Sequence, residues 1–294
     1  MPKYIKSHKD LITQRQAIAL GFLEQAKEKS IRATPLVEEA KQLLEELRKA
    51  KNIDEVIKTV PIKKLASAVG FSDKAQTKFG ETELRELIQN VIETIIKKVG
   101  DGFREELLYR FLLTRGDTLG GMMRNVTGAA ATISFTGSIV TLLNIKGKKA
   151  KIITSPKREA KIKSIEWDDR ILLFDRKPKF MDKNIDVILL KKPGSFDEEK
   201  LIEDTNLYVS CGELKGGIDP AGADEHWKTA RSALDRIREK FRGGCPNLFF
   251  AANAIEEAMA KEIFSMLSSG QLAHAANLNY KEQLEDLTDW LTSL

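Results

Sequence analysis

Leu207-Tyr-Val-Ser-Cys-Gly-Glu-Leu-Lys215 is followed at once by Gly216-Gly-Ile-Asp-Pro-Ala-Gly222 and then by a helical pattern from Ala223 to Phe241, with His226 in its first turn. The first nine residues read as a β-strand, the glycine-rich run as a tight connection, and the rest as an amphipathic helix. Trp227, Ala230, Leu234, Ile237 and Phe241 form its apolar stripe. A strand feeding a helix through a short loop marks an α/β core. Upstream, Asp186-Val-Ile-Leu-Leu is a second apolar strand, twenty-seven positions before Glu213.

Working outward, Ala150 to Thr154, Ile171-Leu-Leu-Phe and Leu248-Phe-Phe-Ala read as further strands, and so does Thr132 to Leu143, rich in β-branched residues. Helices are expected over Asn253 to Ser269 and around Tyr280 to Leu291. The N-terminal third reads as a helical bundle. Thr34-Pro35 supplies a hydroxyl cap and a first-turn proline for a helix over Val37, Ala40, Leu43, Leu44 and Leu47. Glu81 to Val99 is a second helix, stopped by Gly100, and Phe103 to Leu113 a third. After Arg115-Gly-Asp-Thr-Leu-Gly-Gly the texture changes. The expected class is therefore α+β: a mainly helical domain over 1–115, and a domain over 116–294 with a mixed β-sheet flanked by helices.

The chain has 294 residues, 42% hydrophobic and 31% charged, which suits a folded protein and excludes wholesale disorder. No stretch reads as a membrane span, and the start lacks a secretory layout, so the cytoplasm is expected. Cys211 and Cys245 are too few for a disulfide framework or a four-cysteine zinc site. Walker-type loops, dinucleotide fingerprints and HExxH pairs are missing from the sequence.

Net charge is +5, but fifteen basic residues stand against seven acidic ones between Lys146 and Lys192. That local excess of eight is either a polyanion-binding face or an ordinary solvated one.

Glu213 and Lys215 are two apart, so an extended backbone points both to one face, roughly 7 Å apart. With Asp186 they form a pair of carboxylates beside a lysine, a hard-oxygen site suited to Mg²⁺ with a cation left for a phosphate. Taken as spacing alone, the pattern also fits a surface ion pair. His226, one of three histidines, is either a structural residue near a helix start or a base working beside the same strand. Asp117 either supports the metal site or caps the turn that follows it. Lys63, Lys64 and Lys74 are phosphate partners or simply solvated.

The run Cys211-Gly-Glu-Leu-Lys-Gly-Gly-Ile-Asp-Pro-Ala-Gly-Ala-Asp-Glu-His-Trp-Lys228 resembles the catalytic segment of the AvaI/BsoBI type II restriction endonucleases, within the PD-(D/E)xK nuclease superfamily. The resemblance extends to the Asp186 strand and to Arg115-Gly-Asp-Thr-Leu-Gly-Gly. It departs from the superfamily motif at Ile185, where a proline is usual, which keeps Asp182 open as an alternative ligand. The resemblance implies a homodimer that surrounds duplex DNA and cuts both strands with Mg²⁺, leaving 5′-phosphates. By it, Asp186 and Glu213 bind metal, Lys215 positions water or phosphate, and His226 is an additional base. Lys183 and Asp219 correspond to base-reading residues, and the site read is a degenerate G·C-rich palindrome of the CYCGRG type. A cognate DNA methyltransferase is the implied functional partner. A repair or junction nuclease of the same superfamily, and a DNA-binding protein without cleavage, are the competing readings.

Overall fold

The computed structural model describes residues 1–155, 162–241 and 244–294. Its helices are α1 (Arg15–Lys49), α2 (Ile53–Thr59), α3 (Ile62–Ala68), α4 (Asp73–Gln76), α5 (Glu81–Val99), α6 (Phe103–Ile145), α7 (Glu198–Leu201), α8 (Pro220–Lys240), α9 (Glu257–Ser268) and α10 (Lys281–Ser293). Its strands are β1 (Lys151–Thr154), β2 (Ile162–Trp167), β3 (Arg170–Arg176), β4 (Ile185–Lys191), β5 (Tyr208–Lys215), β6 (Asn247–Ala252) and β7 (His274–Asn277). Two compact units result: Met1–Leu23 with Val126–Leu294, and Glu24–Asn125.

In the larger unit the seven strands lie in sequence order in one sheet. Neighbours from β1 to β5 are antiparallel, and β5, β6 and β7 run parallel. The parallel half exists because α8 and α9 carry the chain back between strands, as parallel neighbours require. Each face has its own apolar core. Ile188, Leu190, Cys211 and Phe250 face Trp227, Ala230 and Leu234 of α8 and Met259 and Ile263 of α9. Val187, Leu189, Phe249 and Ala251 face Phe135, Ile139 and Leu143 of α6 and Leu287 and Leu291 of α10. With both faces covered, the apolar residues of β4 and β5 run nearly continuously, as in Val187 to Leu190. The Trp227 and Trp167 side chains are buried, as core tryptophans should be.

The smaller unit packs Leu43 and Leu47 of α1, Leu65 of α3, Ile88 and Ile92 of α5, and Leu107 and Phe111 of α6 around one core. Arg115 ties it together, pairing with Glu39 at 3.1 Å and Asp73 at 3.0 Å over the Phe111 ring.

Several expectations are corrected. Thr132 to Leu143 is helix, not strand. Its Ala131, Phe135, Ile139 and Leu143 recur every four residues and are all buried, so helical periodicity overrides β-branched composition. Thr132 and Thr141 also turn their hydroxyls onto the carbonyls of Gly128 and Gly137, four residues back. The same helix runs unbroken through Arg115-Gly-Asp, so Asp117 caps nothing. From 126 to 145 it carries no charged residue, and by length and composition it could cross a membrane. Here its buried stripe seats it on the sheet. Pro35 lies inside α1 rather than at its start. Neither β2 nor β7 was anticipated. Asn253 precedes α9 by four residues rather than opening it.

The basic stretch is partly neutralised by acids inside and outside it. Lys146 pairs with Asp289, Lys148 with Asp168, Lys151 and Lys192 with Glu166, and Arg176 with Glu198. Its members Lys157, Arg158, Glu159 and Lys161 lie outside the described residues. Lys64 pairs with Glu46 at 2.8 Å.

Candidate active site

Strands β4 and β5 pair antiparallel with Val187 opposite Gly212 and Ile188 opposite Cys211. One further step of that register sets Asp186 level with Glu213. Glu213 lies two residues beyond Cys211 and so shares its face, toward α8. Gly212 is required between them. A Cβ there would lie 2.2 Å from the ring of Phe249, which fills the opposite core.

Lys215 draws the two acids together. Its Nζ donates to Asp186 Oδ2 and to Glu213 Oε2, each at 2.8 Å, and Leu214 N donates to Asp186 Oδ2 at 3.0 Å. The site grades from wet to dry, since the Asp186 side chain is 33% exposed and the Glu213 side chain 4%. Burial, followed by the negative charge of Asp186, pushes the Glu213 carboxyl up to about 8, against the pull of Lys215. Burial alone would lower Lys215, but the two carboxylates outweigh it and hold the ammonium charged.

The other Glu213 oxygen, Oε1, is buried and meets no hydrogen-bond partner. A buried, unpartnered carboxylate oxygen is costly. Beside Asp186 it completes a hard-oxygen donor pair of the sort that suits Mg²⁺, which usually takes only one or two protein carboxylates and fills its shell with water and phosphate oxygens. Among the described residues no third His, Cys, Asp or Glu joins them in a metal-binding group. The expected Asp186, Glu213 and Lys215 are therefore together.

The other expected residues lie around this centre. His226 is exposed on the second turn of α8, not the first, because the helix begins at Pro220. Its Nε2 stands 3.5 Å from where a Gly217 Cβ would be and 3.6 Å from that of Gly222. The imidazole thus rests against the glycine loop that leaves Lys215. Asp219 is the N-cap of α8, its Oδ1 accepting from Ala221 N at 2.9 Å. Lys183 and Asp182 are exposed in the connection from β3 to β4.

Two residues escaped the sequence reading. Asp175 on β3, with φ +55°, sits between the pairs Phe174–Val187 and Arg176–Ile185, level with Asp186. Nothing in its neighbourhood distinguished it from other acids. Asn253 bonds the chain just after Lys215; its signal was a polar residue directly ending an apolar strand.

A family model described as Restriction endonuclease BsobI matches residues 1–294. The chain is 37% identical over 310 aligned residues to the type II restriction enzyme AvaI of Nostoc sp. (strain PCC 7120), covering 99% of this chain and 98% of the relative. The AvaI of Anabaena variabilis matches to the same extent. The type II restriction enzyme BsoBI of Geobacillus stearothermophilus is 37% identical over 314 aligned residues, covering 99% of this chain and 97% of the relative. With the whole chain matched by the family model and by full-length relatives, this protein belongs to the BsobI restriction endonuclease family.

Proposed function

We propose that this protein is a type II restriction endonuclease that hydrolyses one phosphodiester bond in each strand of duplex DNA at a specific site, with Mg²⁺ as cofactor. The observation that carries the reading is the Asp186–Glu213–Lys215 cluster, above all the buried Glu213 whose Oε1 lacks a partner. Asp186 and Glu213 are the residues that hold the cation. When bound, Mg²⁺ supplies Lewis-acid activation of water and charge for the phosphorane-like transition state.

The chain's own groups do the rest. Lys215, held charged in a drying site, meets the negative charge that builds on the phosphate oxygens. His226 accepts the proton of the attacking water; imidazole is the side chain best suited to general-base work, and its exposed position leaves it open to substrate. In-line attack leaves a 5′-phosphate and a 3′-hydroxyl.

Recognition falls to Lys183 and Asp219, which flank the cluster in sequence. A lysine donates to guanine O6 or N7 and an aspartate accepts from cytosine N4, so both suit G·C pairs in the major groove. Capping occupies only one oxygen of Asp219. The target is a degenerate G·C-rich palindrome of the CYCGRG type. Two copies of the chain match its symmetry, with the helical region 1–115 embracing the duplex. The protein acts in the cytoplasm, alongside a methyltransferase that protects the same sequence. Plasmid of known sequence digested with Mg²⁺, followed by mapping of the ends, tests all of this. Discrete bands with 5′-phosphates at one palindrome are expected; scattered nicks or no cleavage would overturn the proposal.

A further inference from the structure

The β5–β6 ladder ends with Lys215 opposite Ala252, and the chain leaving it is Gly216-Gly217. Two glycines in succession hold no conformation of their own. Lys215 is therefore the last ordered point of its strand unless something grips the peptide beyond it. Asn253 does so twice. Its backbone N–H donates to Lys215 O at 3.0 Å, and its side-chain Nδ2 donates to Gly216 O at 3.0 Å. Any residue could supply the first bond. The second needs a side chain with a donor at that length.

Asn253 is itself fixed from behind. Its carbonyl accepts the Thr13 hydroxyl at 2.9 Å and the Asn279 side-chain amide. Thr13 Oγ1 accepts in turn from Ile255 N at 2.9 Å and from Asn277 Nδ2 at 2.7 Å. A polar network at the ends of the parallel strands thus converges on the Asn253 backbone carbonyl, and the side-chain amide of the same residue reaches the strand that carries Glu213 and Lys215.

We propose that Asn253 is a positioning residue for cleavage. Its Nδ2 extends the sheet by one bond past its last rung, fixing the Lys215–Gly216 peptide, so that Nζ is held between Asp186 and Glu213 and Gly217 is held beneath His226. This deepens the nuclease reading and rests on Lys215 serving in it.

The test compares full-length wild type with Asn253→Ala, Lys215→Ala, their double variant and Thr13→Ala. Single-turnover cleavage of plasmid with Mg²⁺, duplex affinity in EDTA and the melting midpoint are measured for each. Asn253→Ala should cleave about 10–100-fold slower, the scale of a small misplacement of a catalytic group. Its duplex affinity in EDTA should be unchanged. Added to Lys215→Ala, it should slow cleavage no further, because the group it positions is already gone. Thr13→Ala removes the hydroxyl behind Asn253 but leaves the Asn279 amide on its carbonyl and both Asn253 bonds to the Lys215–Gly216 carbonyls; it should lower the melting midpoint yet keep the cleavage rate. If Asn253→Ala does not fold, Asn253→Leu keeps about the same side-chain size with neither donor nor charge, and should show the same slow cleavage. An unchanged rate in the Asn253 variants, losses that multiply in the double variant, or an equal slowing by Thr13→Ala would overturn the proposal. Lys215→Ala cutting at the wild-type rate would instead sink the role of Lys215, and the proposal with it.

Discussion

Glu213 Oε2 and Lys215 Nζ meet at 2.8 Å although a single residue separates them on β5, and the same ammonium reaches Asp186 on β4. Strand geometry puts the two side chains on one face within reach of each other, and Asp186 supplies the second acceptor for the same ammonium. The three groups form one electrostatic unit, in which changing any member changes the others.

Glu213→Ala removes the driest member of that unit and its unpartnered oxygen. Cleavage with Mg²⁺ should be abolished while duplex affinity in EDTA stays close to wild type. Gel-shift and plasmid-nicking assays on one preparation read both quantities. Persistent cleavage would mean that the metal-holding residues lie elsewhere.

His226→Ala should slow the chemical step by about 10²–10⁴-fold if the imidazole is the general base. Because the side chain is exposed, the melting midpoint should barely move. A single-turnover rate equal to wild type would assign His226 to the surface of α8 and nothing more.

The strands that carry the site were legible because both faces of the sheet are buried, which leaves apolar runs such as Val187 to Leu190 conspicuous. Spacing also disclosed that Glu213 and Lys215 share a face. Other parts depended on tertiary contacts. Strand β7 is four residues, His274 to Asn277, with little strand preference of its own, and exists through its parallel pairing with β6. Segment 132–143 has the β-branched composition of a strand, but the four-residue spacing of Phe135, Ile139 and Leu143 decides for helix. The start of α8 was available in the sequence: Asp219-Pro220 is an N-cap followed by a first-turn proline. A helix start at Ala223 leaves Asp219 without its capping role and His226 in the first turn; the start at Pro220 gives both their places. No local pattern links Asn253 to Lys215, thirty-eight positions upstream, because parallel strand order alone makes them neighbours.

Gly216 packs the end of β5 against α6 so closely that a Cβ would lie 2.4 Å from the carbonyl oxygen of Thr127 and 3.0 Å from Ala131 Cβ. Helix backbone cannot yield as a side chain does. Gly216→Ala should therefore cost about 1–3 kcal/mol, the usual range for overpacking. Gly128→Ala, on the same helix but with no atom within 4 Å of the new methyl, should instead stabilise by about 0.4–1 kcal/mol. Urea midpoints of the two variants should move in opposite directions from wild type; movement in the same direction would contradict this packing.

His274 is buried on β7, its Nε2 3.2 Å from Asp286 Oδ2 and its ring against Trp290. Burial lowers its proton affinity below the ordinary 6.5; Asp286 opposes this without reversing it, and the N-terminal amine adds to the lowering. The unfolded chain thus takes up the proton near 6.5 while the folded one resists it. Stability contributed by the neutral ring is complete above about 6.5 and is lost as pH falls from there toward the lower folded value. Urea midpoints measured from pH 7.5 down to 5.5 should fall more steeply for wild type than for His274→Gln, whose side chain does not titrate. Parallel curves would show that Asp286 fully offsets burial and leaves the imidazole's proton affinity the same folded and unfolded, and a shallower wild-type fall would show Asp286 outweighing burial; either result overturns this reading.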